Sequence, residues 1–165
     1  MSAFGVSSFE SIWYWVLHMI VWTLVTQRML GVPHDMLVRA RRSPEIAGKV
    51  EMLALVHTGR LAALYDALGI AAALLGGFLL SALFVIGFLN GVELAQAVFL
   101  LVFPVSIVAY STASVALRIE RRNYRGDMLL RILARRQFWH QVIAVAALIG
   151  ALGVALSHHP RIVLP

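Results

Sequence analysis

Two histidines are the side chains whose type and placement point most directly to chemistry. His18 sits in the apolar run SIWYWVLHMIVWTLVTQ and is the only titratable group well inside it. A polar side chain is costly in hydrocarbon, so it faces a partner. Its functional roles are ligation of a haem b or a chlorin, or membership of a proton relay. Its structural role is a bond to another helix, to Thr23 or Gln27, or to a backbone carbonyl. A bis-histidine haem needs a second imidazole at matching depth. His140 is the best candidate, but it lies about one turn inside its own apolar run, whereas His18 lies about ten residues from the same face. That mismatch is on the order of 10 Å at ~1.5 Å per residue and argues against one haem held by both. The structural reading leads, and no cofactor is expected.

The remaining chemistry is thin. His34, His57, His158 and His159 fall outside the apolar runs. His158-His159 lacks the third and fourth ligands that a metal site needs. There is no cysteine, which removes disulfides, thiolate metal sites and thiol nucleophiles. No phosphate-cradling glycine loop, no Ser–His–Asp set and no paired carboxylates are present. An enzyme is therefore not expected. No Asp, Glu, Lys or Arg occupies the middle of an apolar run, which weighs against a transporter.

Small residues spaced for close helix packing are more plentiful. Gly69, Ala73, Gly77 and Ser81 follow one another at four-residue intervals, as do Ala147, Ala151 and Ala155. Such stripes let a second helix approach closely. The partner is another helix of this chain or another protein. Ser106, Tyr110, Ser114 and Arg118 form a further four-spaced row, either a polar seam or residues snorkelling to the interface. Trp13, Tyr14 and Trp15, with Trp139, mark aromatic belts.

The elements that position these residues follow from composition. Of the 165 residues, 61% are hydrophobic and 13% charged, and the mean hydropathy is +0.84. A soluble domain carries roughly 25% charged residues. Lipid is the solvent this composition calls for. Four runs reach the length of about 20 residues that a spanning helix needs: 9–30, 67–89, 92–117 and 137–157. Their unbroken apolar character excludes a barrel. The expected fold is all-α, a single polytopic domain with four transmembrane helices.

Charge sets the orientation. Of the 14 basic residues, Arg28, Arg39, Arg41, Arg42, Lys49 and Arg60 lie between or bordering spans 1 and 2. Arg118, Arg121, Arg122, Arg125, Arg131, Arg135 and Arg136 lie between spans 3 and 4, and only Arg161 lies elsewhere. Basic loops stay cytoplasmic, so both termini are expected on the periplasmic side. The net charge of +6 has this explanation, and no nucleic-acid partner is expected. Arg39, Arg41, Arg42, Arg121, Arg122, Arg125, Arg135 and Arg136 are placed to meet anionic lipid headgroups or an acidic partner surface. The basic segments also carry helix signals. Ser43-Pro44-Glu45 starts a helix, and Ile46, Val50, Leu53, His57, Leu61 and Leu64 continue it at 3–4 residue spacing, with Glu45 and Lys49 paired. Asn123–Asp127 reads as a turn with Asp127 as cap. Spans 2 and 4 are thus expected to extend into the cytoplasm over 44–66 and 118–136. The first extension either projects or lies on the membrane, with Gly59 as its bend.

The stretch Trp13–Arg42 resembles the start of a small alphaproteobacterial four-span inner-membrane family. The resemblance rests on Trp13-Tyr14-Trp15, Leu30-Gly31-Val32-Pro33, Asp35-Met36 and Arg39-Ala40-Arg41-Arg42. Gly91-Val92-Glu93 and Ala95-Gln96-Ala97 fit it too, as does the layout to the end of span 4. Members are often labelled as a component of the Suf iron–sulphur assembly complex, a role that the residues here, with no cysteine and no nucleotide site, do not support. The resemblance implies a bacterial inner-membrane location. The expectation that follows is a non-enzymatic accessory or scaffold subunit of a larger membrane complex, such as a respiratory or photosynthetic one. The alternatives are a haem- or pigment-binding redox subunit using His18, and a small transporter or channel.

Overall fold

A computed structural model describes residues 12–158, with Arg28, Met29 and His158 described by backbone alone. Among the described residues the fold is helical apart from one short hairpin and the connecting turns. Helix α1 (Ile12–Gln27) leads into strands β1 (Arg28–Met29) and β2 (Val32–Pro33). Then come α2 (His34–Ala40), α3 (Pro44–Phe84), a π-helical turn (Val85–Leu89), α4 (Glu93–Arg122) and α5 (Gly126–His158). Three stretches, Pro44–Leu89, Glu93–Arg122 and Gly126–Ser157, are long and apolar enough to cross a membrane.

The first expected span ends earlier than the sequence suggests. Helix α1 ends at Gln27 rather than at position 30, and its 16 described residues reach about 24 Å at ~1.5 Å each. A hydrocarbon core is about 30 Å thick. The end is set by a tight antiparallel hairpin in which Met29 pairs with Val32. Leu30 (φ 48°) and Gly31 (φ 75°) are both left-handed, the signature of a type I′ turn. Leu30 and Val32 then point into the protein, 6% and 0% exposed. Burial of these side chains offsets a conformation that leucine rarely adopts. Phe9, Glu10 and Ser11, the start of the expected span, lie outside the described residues.

Residues 44–66 are helical, whereas 118–122 close α4 and only 126–136 belong to α5; these segments pack on one another. Ser43 is extended and Pro44 opens α3. The helix passes Gly59 without a break. Lys49 Nζ meets Glu45 Oε1 at 2.6 Å. Helix α4 runs through Arg122 and closes at Asn123, which is left-handed (φ 51°). Tyr124 N then donates to Ile119 O at 3.2 Å, a Schellman closure. Helix α5 begins at Gly126, so Asp127 stands in its first turn and is not the cap.

These ends enclose a core. Leu30, Val32, Leu37 and Ala40 meet Val50 and Ala54 of α3, Val115, Ala116 and Ile119 of α4, and Leu129 and Leu133 of α5. This head resembles a small soluble core in make-up. On α3 the buried face is Val50, Ala54, Thr58 and Ala62. Among the larger residues of the expected apolar face, Ile46 and Leu61 are half-buried, while Leu53, His57 and Leu64 are exposed. Small side chains sit inside because α3 and α4 run close together.

A second cluster joins α1, α4 and α5 through Trp22, Val108, Ala144 and Ala147. The far half of α3 joins neither cluster. In its most apolar stretch only 6% of residues are buried, against 22% in α5.

Candidate functional site

The far end of α3 is fixed to α4 by a contact the sequence did not announce. The chain reverses at Asn90-Gly91, the turn expected there, with Gly91 left-handed (φ 72°). Just before it, the π turn breaks the regular carbonyl ladder. Gln96 Nε2 of α4 donates to the carbonyl of Gly87 at 2.8 Å, supplying that oxygen with a donor. Gly87 is buried, and a Cβ there would stand 2.8 Å from the backbone nitrogen of Gln96. Glycine is what lets the two backbones meet.

From this anchor the less exposed face of α3 runs back through Leu83, Leu80, Gly76, Gly69 and Tyr65, all half-buried. The expected stripe does not coincide with it. A Cβ built on Gly69 would meet the Tyr65 ring of its own helix at 3.1 Å, but Ala73, Gly77 and Ser81 are exposed. A Cβ built on Gly77 would meet nothing within 4 Å. Ile70 is 83%, Leu74 71% and Phe78 70% exposed. The strip is therefore open on the chain's own surface. Helix α5 differs. Ala147 and Ala151 are buried and Ala155 half-buried, with Ala147 in the seam against α1 and α4.

The two histidines are buried in that seam, His18 at 0% and His140 at 2% exposure. The Trp22 indole donates to His18 Nε2 at 3.0 Å from the next turn of the same helix. The partner is thus neither Thr23 nor Gln27. Tyr14 and Trp15 flank the His18 ring, with centroids at 5.5 and 6.3 Å. A metal at Nε2 would have to displace Trp22. The register between α1 and α5 is set by Gln137 Nε2, which donates to the carbonyl of Thr26 at 3.3 Å. The helices run antiparallel, so His140 stands about 4.5 Å beyond that level and His18 about 12 Å beyond it. The remaining separation, about 7–8 Å along the axis, does not suit a single haem held by both rings. Among the described residues no group of three His, Cys, Asp or Glu could hold a metal ion. His159, like Arg161, lies outside the described residues.

The basic residues decorate the head. Arg39, Arg41, Arg42, Arg121, Arg122, Arg125 and Arg135 are exposed, and Arg136 is half-buried with Nη1 donating to Ser111 Oγ at 3.3 Å. Asp127, Met128, Arg131, Ile132 and Arg135 line an open groove along α5. Glu51, which sequence reasoning passed over, accepts from the backbone N–H of Gly126 at 3.2 Å. It brings a carboxylate to the positive N-terminal end of α5. In the four-spaced row on α4, Tyr110 is 67% exposed, Arg118 is exposed and Ser106 bonds its own Val102 carbonyl at 2.8 Å.

No protein-family model, curated protein or solved structure matches the chain.

Proposed function

We propose that this chain is a four-span inner-membrane protein, with both termini periplasmic, that serves as a non-enzymatic scaffold or accessory subunit. Its far α3 face is the surface that docks another membrane protein. The observation that supports this reading is the open strip Ala73–Gly77–Ser81, flanked by Ile70, Leu74 and Phe78. Association inside a bilayer draws little from hydrophobicity and depends on close backbone approach at small residues. The chain already uses such residues where its own helices meet, at Ala54 and Ala62 of α3 and at Ala147 and Ala151 of α5. The same device on an uncovered helix suits a second protein. In this reading the head stays in the cytoplasm, where its arginines hold the subunit against anionic headgroups and steer an acidic partner loop.

The test is gentle detergent extraction from the native membrane followed by native electrophoresis. The chain is expected in a band well above monomer or homodimer size, and Gly77→Leu is expected to release it while leaving the fold intact. Migration of the wild type only as a free monomer or homodimer counts against a heterologous partner.

A further inference from the structure

Gln137 and His140 stand three residues apart on α5. Residues at that spacing share a helix face, with Cβ atoms about 5–6 Å apart. Each is 2% exposed. Because Gln137 Nε2 is spent on the Thr26 carbonyl, its Oε1 is left as an acceptor. Neither that Oε1 nor His140 Nε2 has a hydrogen-bond partner among the described residues. An unmet buried polar atom is destabilising, and native interiors seldom leave two on one helix face.

The chemistry of the pair restricts what satisfies it. An anion is repelled by the amide oxygen. A metal ion finds two neutral ligands where sites use three or more. An apolar molecule satisfies neither atom. Water donates to the amide oxygen, and donates to or accepts from the imidazole whichever tautomer is present.

We infer that Gln137 and His140 hold a bound water molecule in the seam between α1 and α5, and that this site communicates with the aqueous phase on the head side only. Arg136, half-buried one position before Gln137 and bonded to Ser111, marks the polar approach. Beyond His140 the seam is closed by the apolar side chains of Trp22, Val108, Ala144 and Ala147, among which His18 lies. His140 is therefore a water-connected imidazole inside a membrane helix. His18, about 7–8 Å further along the seam, is bonded to Trp22 through Nε2 and leaves only its Nδ1 unpartnered; level with that apolar cluster, it is the dry ring of the two.

The chain has no cysteine, so single-cysteine probing needs no prior removal. In oriented vesicles, His140→Cys is expected to react with a small, charged, membrane-impermeant methanethiosulfonate from the head side. Its rate should exceed that of Ala144→Cys and Ala147→Cys by about tenfold or more, since thiol reactivity follows access and thiolate formation. Equal, negligible rates at all three positions overturn the inference. Should the His140 variant misfold, water-edited solid-state NMR on the unmodified chain decides. Polarisation should build up at the His140 ring and the Gln137 amide at mixing times too short for His18. Absence of transfer at His140, or equal transfer at His18, refutes the site.

Discussion

Adding one methyl group at Gly87 tests how the far ends of α3 and α4 are joined. Alanine there would place a Cβ 2.8 Å from the Gln96 nitrogen and 3.1 Å from the Ala95 carbonyl carbon, both backbone atoms. No rotamer relieves such a contact. The helices must separate, and the Gln96–Gly87 bond of 2.8 Å stretches with them. Overpacking costs about 1–3 kcal/mol, and weakening a buried bond that serves a π-turn carbonyl adds to it. We expect a loss of about 2 kcal/mol, or a fall of roughly 4–8 °C in the melting temperature for a chain of this size. Gly77→Ala is the control. It lies on the same helix with nothing within 4 Å of its new carbon, and it replaces glycine by the best helix former, so it should be neutral or stabilising by up to about 1 kcal/mol. Thermal unfolding of both variants in one detergent, followed by circular dichroism, reads the difference. Equal melting temperatures for Gly87→Ala and Gly77→Ala would refute the close approach.

Three other outcomes follow from the same geometry. Trp22→Phe keeps an aromatic ring in the α1–α4–α5 cluster but removes the donor to His18 Nε2; it should cost about 1–3 kcal/mol by the same unfolding assay, and His18→Phe in that background should recover part of the loss. Glu51→Ala removes the acceptor for the Gly126 N–H. A loss of about 0.5–1 kcal/mol is expected, smaller in high salt because the site is partly exposed, as measured by unfolding at two ionic strengths. In the four-span topology, periplasm-specific labelling of single cysteines should modify Ser2→Cys and Val163→Cys in intact cells and spare Arg41→Cys; protection of Ser2→Cys together with labelling of Val163→Cys would indicate three spans.

Much of the helical plan was legible because it rests on strong local signals. Ser43-Pro44-Glu45 marked the start of α3 to the residue, and Asn90-Gly91 marked the reversal between α3 and α4. The misses share a cause: burial was decided between helices, where a single sequence is quiet. Leu30 carries no turn signal, yet burial of Leu30 and Val32 in the head ends α1 at Gln27. On α3 hydropathy points to Leu53 and Leu64, whereas close packing against α4 selects Ala54, Thr58 and Ala62. The four-residue spacing of the Gly69–Ser81 stripe was plain, but an α-helix turns every 3.6 residues, so the stripe drifts off the covered face of α3 and opens outward from Ala73. Trp22 stands four residues from His18, one turn along the same helix, whereas a buried histidine in a membrane helix directs attention to neighbouring helices. The π turn and its Gln96 donor had no local signature.

The central claim, that the uncovered α3 face docks another membrane protein, is tested most directly by photo-crosslinking in the native membrane. A photoreactive amino acid at Gly77 should give one discrete protein adduct far heavier than the 18.2 kDa chain. The same probe at Ile149 of α5, 66% exposed but outside the small-residue strip, should give lipid adducts alone. Protein adducts absent at Gly77, or identical at both positions, would contradict the account.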